Sequence, residues 1–126
     1  MKILVVDDTD AVLEVLFDVL SLDHEVIVEN DPEQVMKYFD NSFDLVITDY
    51  DMPYLNGLVL SKKIKDKFDI PIIMLSGTDF GDIKLKSIDY FIAKPFQIKH
   101  IKETIKSLGE TNERRTYWCY EERDCK

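Results

Sequence analysis

The chain alternates between two hydrophobic patterns. Short runs that are largely apolar are typical of buried strands, and they occur at residues 2–6, 25–28, 45–48, 72–75 and 91–93. The stretches between them place apolar residues every three or four positions, which is typical of helices. Strands that are apolar on both faces and alternate with helices indicate a parallel sheet covered on both sides.

The helical spacing predicts where the helices lie. The first covers residues 11–22, with an apolar face formed by Val12, Val15, Leu16 and Val19. The second begins with Asp31 as its N-cap and Pro32 as its first residue, and it continues to Phe39. A third covers residues 58–68. The last has one apolar face, formed by Ile98, Ile101, Ile105 and Leu108.

The last helix is predicted to end at Gly109. We therefore predict one domain at residues 1–109 and a charged, aromatic tail at residues 110–126. The tail can pack back on the domain or dock a partner, and both interpretations stay open. Cys119 and Cys125 are predicted to be reduced thiols, because two thiolates supply only half of a tetrahedral zinc shell.

Composition narrows the classes of function. The chain has 126 residues, the size of one domain, and 25 acidic against 16 basic residues give a net charge of −9. A general nucleic-acid binder needs a basic surface, so direct contact with nucleic acid is not expected. No apolar stretch approaches the roughly 20 residues that span a bilayer, and the N-terminus lacks a signal-peptide cleavage site. We expect a cytoplasmic protein without membrane insertion.

Polar residues follow four of the five predicted strands. Asp7 and Asp8 follow the first, Asp49 the third, Ser76 the fourth and Lys94 the fifth. Ligands of open parallel sheets bind beyond the carboxyl ends of the strands, so these side chains are expected at one edge. Each has an ordinary alternative, as a helix N-cap, a turn residue or a solvated lysine. Their combination favours a functional site.

Three carboxylates at one edge repel each other, which raises their pKa values unless a cation neutralises them. Oxygen ligands of this kind suit Mg²⁺, which keeps water in its remaining positions. A carboxylate can also attack phosphorus and form an aspartyl phosphate. The transferred group then needs a metal on one side and an ammonium on the other, and Lys94 can supply the ammonium while Ser76 offers a hydroxyl.

Five motifs occur in order over roughly residues 2–108. They are VVDD at 5–8, LVITDYDMP at 45–53, LNG at 55–57, PIIMLSG at 71–77 and KPF at 94–96. With these motifs the sequence resembles the receiver domain of two-component response regulators. The resemblance implies an α/β fold, a flavodoxin-like, doubly wound sheet of five parallel strands in the order 2-1-3-4-5.

The resemblance also implies roles for individual residues. Asp49 would be the phospho-acceptor, Ser76 the switch hydroxyl and Lys94 the cation that contacts the phosphoryl group. Mg²⁺ would be held by Asp7, Asp8, Asp49 and the backbone carbonyl of Asp51. Asp51 and Thr78 flank this site and are expected to tune dephosphorylation.

Two departures from the family pattern matter. Seventeen residues lie between Ser76 and Lys94, about one helical turn fewer than is usual in the family, and residues 79–87 carry few periodic apolar side chains. The fourth helix, between the fourth and fifth strands, is therefore predicted to be short or atypical. Phe91 stands where the family has its switch aromatic. It can swing between buried and exposed positions, or simply pack in the core.

The function implied by the resemblance is phosphoryl acceptance. Asp49 would take the group from a sensor histidine kinase or a histidine phosphotransfer protein, and the change would switch binding to a downstream protein that the sequence does not name. Such a domain catalyses only its own phosphorylation and dephosphorylation. Two alternatives stay open. One is a receiver-like interaction domain that needs no phosphorylation, and the other is a phosphatase using Asp49-Tyr50-Asp51 as an Asp-x-Asp motif.

Overall fold

The computed structural model describes residues 1–53, 55–77 and 87–110. The chain divides into two compact units, Met1–Phe96 and Gln97–Lys126. Among the described residues, the first unit contains the whole sheet and three α-helices, and the second begins with the last helix. Residues 111–126 of the predicted tail, with both cysteines, lie outside the described residues. So does most of the segment predicted as the fourth helix.

Five parallel strands form one sheet. They are β1 (Lys2–Val6), β2 (Glu25–Glu29), β3 (Leu45–Asp49), β4 (Ile72–Ser76) and β5 (Tyr90–Ala93). Their order is β2-β1-β3-β4-β5, and all neighbours pair in parallel. The predicted flavodoxin-like sheet and its strand order are confirmed. β3 and β4 are buried along their full length, as expected of central strands covered on both faces.

The described helices are α1 (Asp10–Leu20), a 3-10 turn (Pro32–Gln34), α2 (Val35–Tyr38), α3 (Gly57–Lys65) and α4 (Ile98–Glu110). Asp31 is confirmed as a cap, because its side chain accepts a hydrogen bond from the backbone N–H of Glu33 at 3.0 Å. Asn56 does the same for Val59 at 2.9 Å and begins α3.

Three details of the predicted helices are wrong. Val15 is 47% exposed, and the buried stripe of α1 is instead Leu13, Leu16 and Leu20. The helix predicted to continue to Phe39 is a 3-10 turn followed by four α-helical residues, and Phe39 has extended backbone. Gly109 does not end the last helix, because α4 continues to residue 110.

One face of the sheet carries an aromatic core. Side chains of β1, β3 and β4 pack there with those of α2 and α3, and the cluster includes Leu4, Val6, Val35, Phe39, Phe43, Val46, Leu60, Ile64 and Ile72. Phe39 stacks on Phe43 at 4.8 Å between ring centroids and meets Phe68 edge-on at 5.1 Å. Burial of each such ring contributes about 1.5–3 kcal/mol, so the aromatic residues hold this crossover on the sheet.

Asp89 joins the starts of β4 and β5. Its backbone N–H donates to the carbonyl of Ile72 at 2.9 Å, and its carboxylate Oδ2 accepts from the N–H of Ile72 at 2.8 Å. The same oxygen lies 3.0 Å from Nζ of Lys65 at the end of α3. One side chain therefore fixes the register at which β5 enters the sheet.

No helix in the described ranges is long and apolar enough to cross a membrane.

Candidate functional site

The polar residues predicted to follow the strands lie at the carboxyl ends of those strands in the structure. Asp7 directly follows β1, Asp49 ends β3, Ser76 ends β4 and Lys94 directly follows β5. Asp7, Asp49 and Ser76 are at most 3% exposed, whereas Asp8 is exposed. Because β1, β3, β4 and β5 are neighbours and parallel, these residues share one edge of the sheet.

Three carboxylates converge at this edge. One oxygen from each of Asp7, Asp8 and Asp49 lies within 4.8 Å of the others. Oδ2 of Asp7 and Oδ1 of Asp49 are buried and accept no well-aligned hydrogen bond from a described residue. Carboxylate oxygens on one side and solvent on the other fit a hard divalent cation that keeps several waters. The side chains thus fit the predicted Mg²⁺ site.

Lys94 places a positive charge beside the carboxylates of Asp7 and Asp49. Its Nζ lies 2.8 Å from Oδ1 of Asp49 and 3.7 Å from Oδ2 of Asp7. The shorter contact is close but poorly aligned for a hydrogen bond, so we treat it as an ion pair. Burial lowers the pKa of Lys94, but the close contact with the Asp49 carboxylate and the charges of Asp7 and Asp49 outweigh this effect, so the pKa of Lys94 is raised overall. Lys94 is therefore a fixed cation at this edge.

Asp7 is held in place by its surroundings. Its Oδ1 accepts the N–H of Thr9 at 2.9 Å, and its own N–H donates to the carbonyl of Glu29 at 3.1 Å. Burial raises the pKa of Asp7; the Thr9 N–H and Lys94 lower it, and Asp49 raises it further. The net shift is upward, which means that the ionised form is costly in the metal-free protein.

The backbone around Asp49 is also fixed. The hydroxyl of Thr48 donates to the carbonyl of Asp49 at 3.0 Å, and the N–H of Tyr50 donates to the carbonyl of Leu75 at 2.9 Å. Gly57 donates its N–H to the carbonyl of Tyr50 at 2.9 Å. A side chain at Gly57 would collide with Asp49. In the sequence, Gly57 stands out only as part of a motif, and its packing against Asp49 was not predicted.

The other residues predicted for this site are Ser76, Phe91, Asp51 and Thr78. The carbonyl of Ser76 accepts the N–H of Lys94 at 2.9 Å, which links the ends of β4 and β5. Phe91 lies opposite Met74 in the register and is 37% exposed, so it is not fully packed in the core. Asp51 is exposed in the loop before α3, and its carbonyl as a metal ligand stays a prediction. Thr78 lies outside the described residues.

The sheet order and the grouping of these side chains can be compared with known proteins. Residues 3–106 match the family described as the response regulator receiver domain. This chain belongs to that family. It is 33% identical over 111 residues to the heme response regulator HssR of Staphylococcus saprophyticus, an alignment that covers 83% of this chain and 50% of HssR. The receiver chain thus spans about half the length of the curated relatives it matches.

Solved receiver structures agree with the fold. The response regulator TrrA of Thermotoga maritima, in complex with Mg²⁺-BeF, is 34% identical with a TM-score of 0.75, over 85% of this chain and 97% of TrrA. TrrA in complex with the histidine kinase ThkA is 31% identical with a TM-score of 0.74, over the same shares. Both complexes were formed by TrrA, and they bear on this receiver only by similarity.

Proposed function

We propose that Asp49 accepts a phosphoryl group in a Mg²⁺-dependent reaction. The observation that carries the proposal is the grouping of three carboxylates and Lys94 around Oδ1 of Asp49. Mg²⁺ would be held by Asp7, Asp8, Asp49 and the carbonyl of Asp51, and when bound it would neutralise charge on the transferred group. The complex of TrrA with Mg²⁺-BeF supports this assignment by similarity.

The donor in this proposal is a phosphohistidine of a sensor histidine kinase or of a histidine phosphotransfer protein. An oxygen of Asp49 forms the bond to phosphorus as the phosphorus–nitrogen bond breaks, and the bonding electrons return to the imidazole. Lys94, already 2.8 Å from Asp49 Oδ1, moves to an equatorial phosphoryl oxygen and stabilises its charge. The complex of TrrA with ThkA supports a kinase as the donor.

The output in this proposal is a change in protein binding. An aspartyl phosphate adds close to two negative charges and three acceptor oxygens at the edge of the sheet. The hydroxyl of Ser76 moves to one of these oxygens, and Phe91 on β5 changes its exposure. The equilibrium between two existing states then shifts towards the one that binds a downstream protein. In this role the domain is cytoplasmic, turns over no separate substrate and contacts no nucleic acid itself.

The test is intact-mass measurement after incubation with acetyl phosphate, with Mg²⁺ or with EDTA. We expect a gain of one phosphoryl group that requires Mg²⁺ and is lost in Asp49→Asn. Asp66→Asn, an exposed aspartate just after α3, is the matched control and should be modified like the wild type. Modification that persists in Asp49→Asn would overturn the assignment of the acceptor. If the wild type is not modified, the domain is better explained as a receiver-like interaction domain. Steady release of phosphate from many substrates would indicate a phosphatase.

A further inference from the structure

A groove runs along the side of α1 that faces β2. Its floor contains Leu13, Phe17 and Val28, and its volume is about 470 Å³. Phe17 is 42% exposed and Val28 is 38% exposed, although both are large apolar side chains. Exposed aromatic surface in a concave setting is typical of a site that contacts another molecule. We call this feature the α1–β2 groove.

The rim of the α1–β2 groove is acidic. Asp10, Glu14 and Asp18 follow one another at intervals of four residues along α1, and Glu29 stands across from them at the end of β2. No described lysine or arginine forms an ion pair with any of these four carboxylates. Glu29 accepts hydrogen bonds from Tyr38 and Asp31, and Asp10 accepts one from Asn30. The charges of Glu14 and Asp18 are left without a cation by the described part of the receiver.

The spacing of the rim is unfavourable for the helix itself. Like charges at positions i and i+4 destabilise a helix by about 0.2–0.5 kcal/mol per pair. Asp18 also lies in the last turn of α1, where the helix dipole disfavours an anion. These costs would be relieved by cations placed along the rim. The groove is thus complementary to a molecule that is apolar in the middle and positively charged at its sides.

The position of β2 argues against two other occupants. β2 is an edge strand, but Glu25 and Glu29 stand at its two ends. Charges on an edge strand disfavour the addition of another strand. Two copies that met groove to groove would place their acidic rims together. Since the chain carries a net charge of −9, self-association through this surface is disfavoured.

We propose that the α1–β2 groove binds a basic amphipathic helix of a partner protein. One large apolar side chain of that helix packs against Phe17 and Val28, and lysines or arginines face Glu14 and Asp18. Helix-in-groove binding of this kind takes its affinity from the apolar anchor and its specificity from the charges. The proposal does not depend on phosphorylation of Asp49, because no residue of the groove belongs to the phosphoryl site.

The probe is a synthetic helix of leucine and lysine, about 14 residues or four turns long, titrated into ¹⁵N-labelled receiver at about 0.15 M salt. We expect amide shifts that centre on Glu14, Phe17 and Val28. Phe17→Ser should weaken binding by about tenfold or more, since an anchor of this size is worth over 1.4 kcal/mol. The matched control is Val15→Ser, because Val15 is an apolar residue of the same helix with similar exposure to Phe17. This variant should bind the peptide like the wild type.

Two further comparisons decide the outcome. Glu14→Lys should weaken binding of the lysine peptide. It should not lower the thermal midpoint of the receiver, because it removes the like-charge pairs with Asp10 and Asp18. This variant tests the rim while it retains the groove floor. A peptide with serine in place of leucine should bind at least about tenfold more weakly. Equal binding by the serine peptide, shifts spread over other acidic surfaces, or an equal loss in Val15→Ser would each overturn the proposal. A dimer seen by sedimentation and lost in Phe17→Ser would assign the groove to a second copy instead.

Discussion

The backbone of Gly57 packs directly against the carbonyl group of Asp49. A β-carbon at Gly57 would overlap the carbonyl oxygen of Asp49, and it would lie 3.0 Å from the carbonyl carbon and 3.1 Å from the α-carbon of Tyr50. These are backbone atoms of the chain that leaves β3, so they cannot rotate aside as a flexible side chain could. The first residue of α3 therefore sets the position of the candidate phospho-acceptor.

Gly57→Ala is expected to destabilise the receiver and to slow its modification. Alanine is the better helix former, but overpacking against fixed atoms costs about 1–3 kcal/mol, and the second effect is the larger. Urea unfolding measures the loss, and the rate of modification by acetyl phosphate measures the displacement of Asp49. Gly77→Ala is the matched control, because no atom of the described residues, apart from the neighbours of Gly77 in the chain, lies within 4 Å of a β-carbon built there. Equal stability of the two variants would contradict the close contact.

Asp89→Ala is expected to cost more stability than Lys65→Met. Removal of the carboxylate leaves the N–H of Ile72 without its acceptor at a buried position, and an unsatisfied buried group costs about 1–3 kcal/mol. Lys65→Met removes only a partly exposed ion pair, which is worth about 0–1 kcal/mol. Urea midpoints of the two variants separate these contributions. A larger loss in Lys65→Met would show that the ion pair, and not the backbone contact, is the main interaction.

Asp7→Asn is expected to stabilise the metal-free receiver at neutral pH. The pKa of Asp7 is raised by burial, so its ionised form destabilises the folded state at pH values above that pKa. The cost disappears as the pH falls through the raised pKa, and the difference between variant and wild type should then vanish. Thermal midpoints measured between neutral and acidic pH test the sign. Added Mg²⁺ should stabilise the wild type more than the variant, and an equal response of the two proteins would exclude Asp7 as a ligand.

Lys94→Gln is expected to slow phosphoryl transfer from acetyl phosphate by about 100-fold, as for the loss of one transition-state contact. The variant should still bind Mg²⁺, because its carboxylates remain. The rate is followed by the appearance of the modified mass. Lys99→Gln, an exposed lysine of α4, is the matched control. A rate close to that of wild type in Lys94→Gln would mean that the 2.8 Å contact with Asp49 serves stability alone.

The sheet and the grouping of polar side chains could be predicted because both follow from short-range patterns. Runs such as residues 45–48 and 72–75 are apolar on both faces, which only a central parallel strand accommodates. Once the strands are parallel, the residues that end them must share an edge. Asp49, Ser76 and Lys94 were therefore placed by counting along the chain.

The phase of α1 could not be predicted in the same way. Its sequence is apolar around most of its circumference, so Val15 and Leu13 compete for the buried side. Tertiary packing selects Leu13, Leu16 and Leu20 and leaves Val15 and Phe17 exposed. Gly57 was missed for a similar reason, because its importance comes from a neighbour eight residues away whose approach no local pattern shows.

The short α2 has a consequence for hydrogen exchange. With only four residues, Val35–Tyr38, it contains few backbone hydrogen bonds of its own, and the N–H of Val35 donates to the carbonyl of Pro32 in the preceding 3-10 turn. Opening this crossover breaks few hydrogen bonds, although it exposes the rings of Phe39 and Phe43. We expect its amides to exchange by local opening, well below the global free energy of unfolding, while those of β3 exchange only when the whole domain unfolds. The strand that carries Asp49 would thus stay closed while the segment beside it opens and recloses.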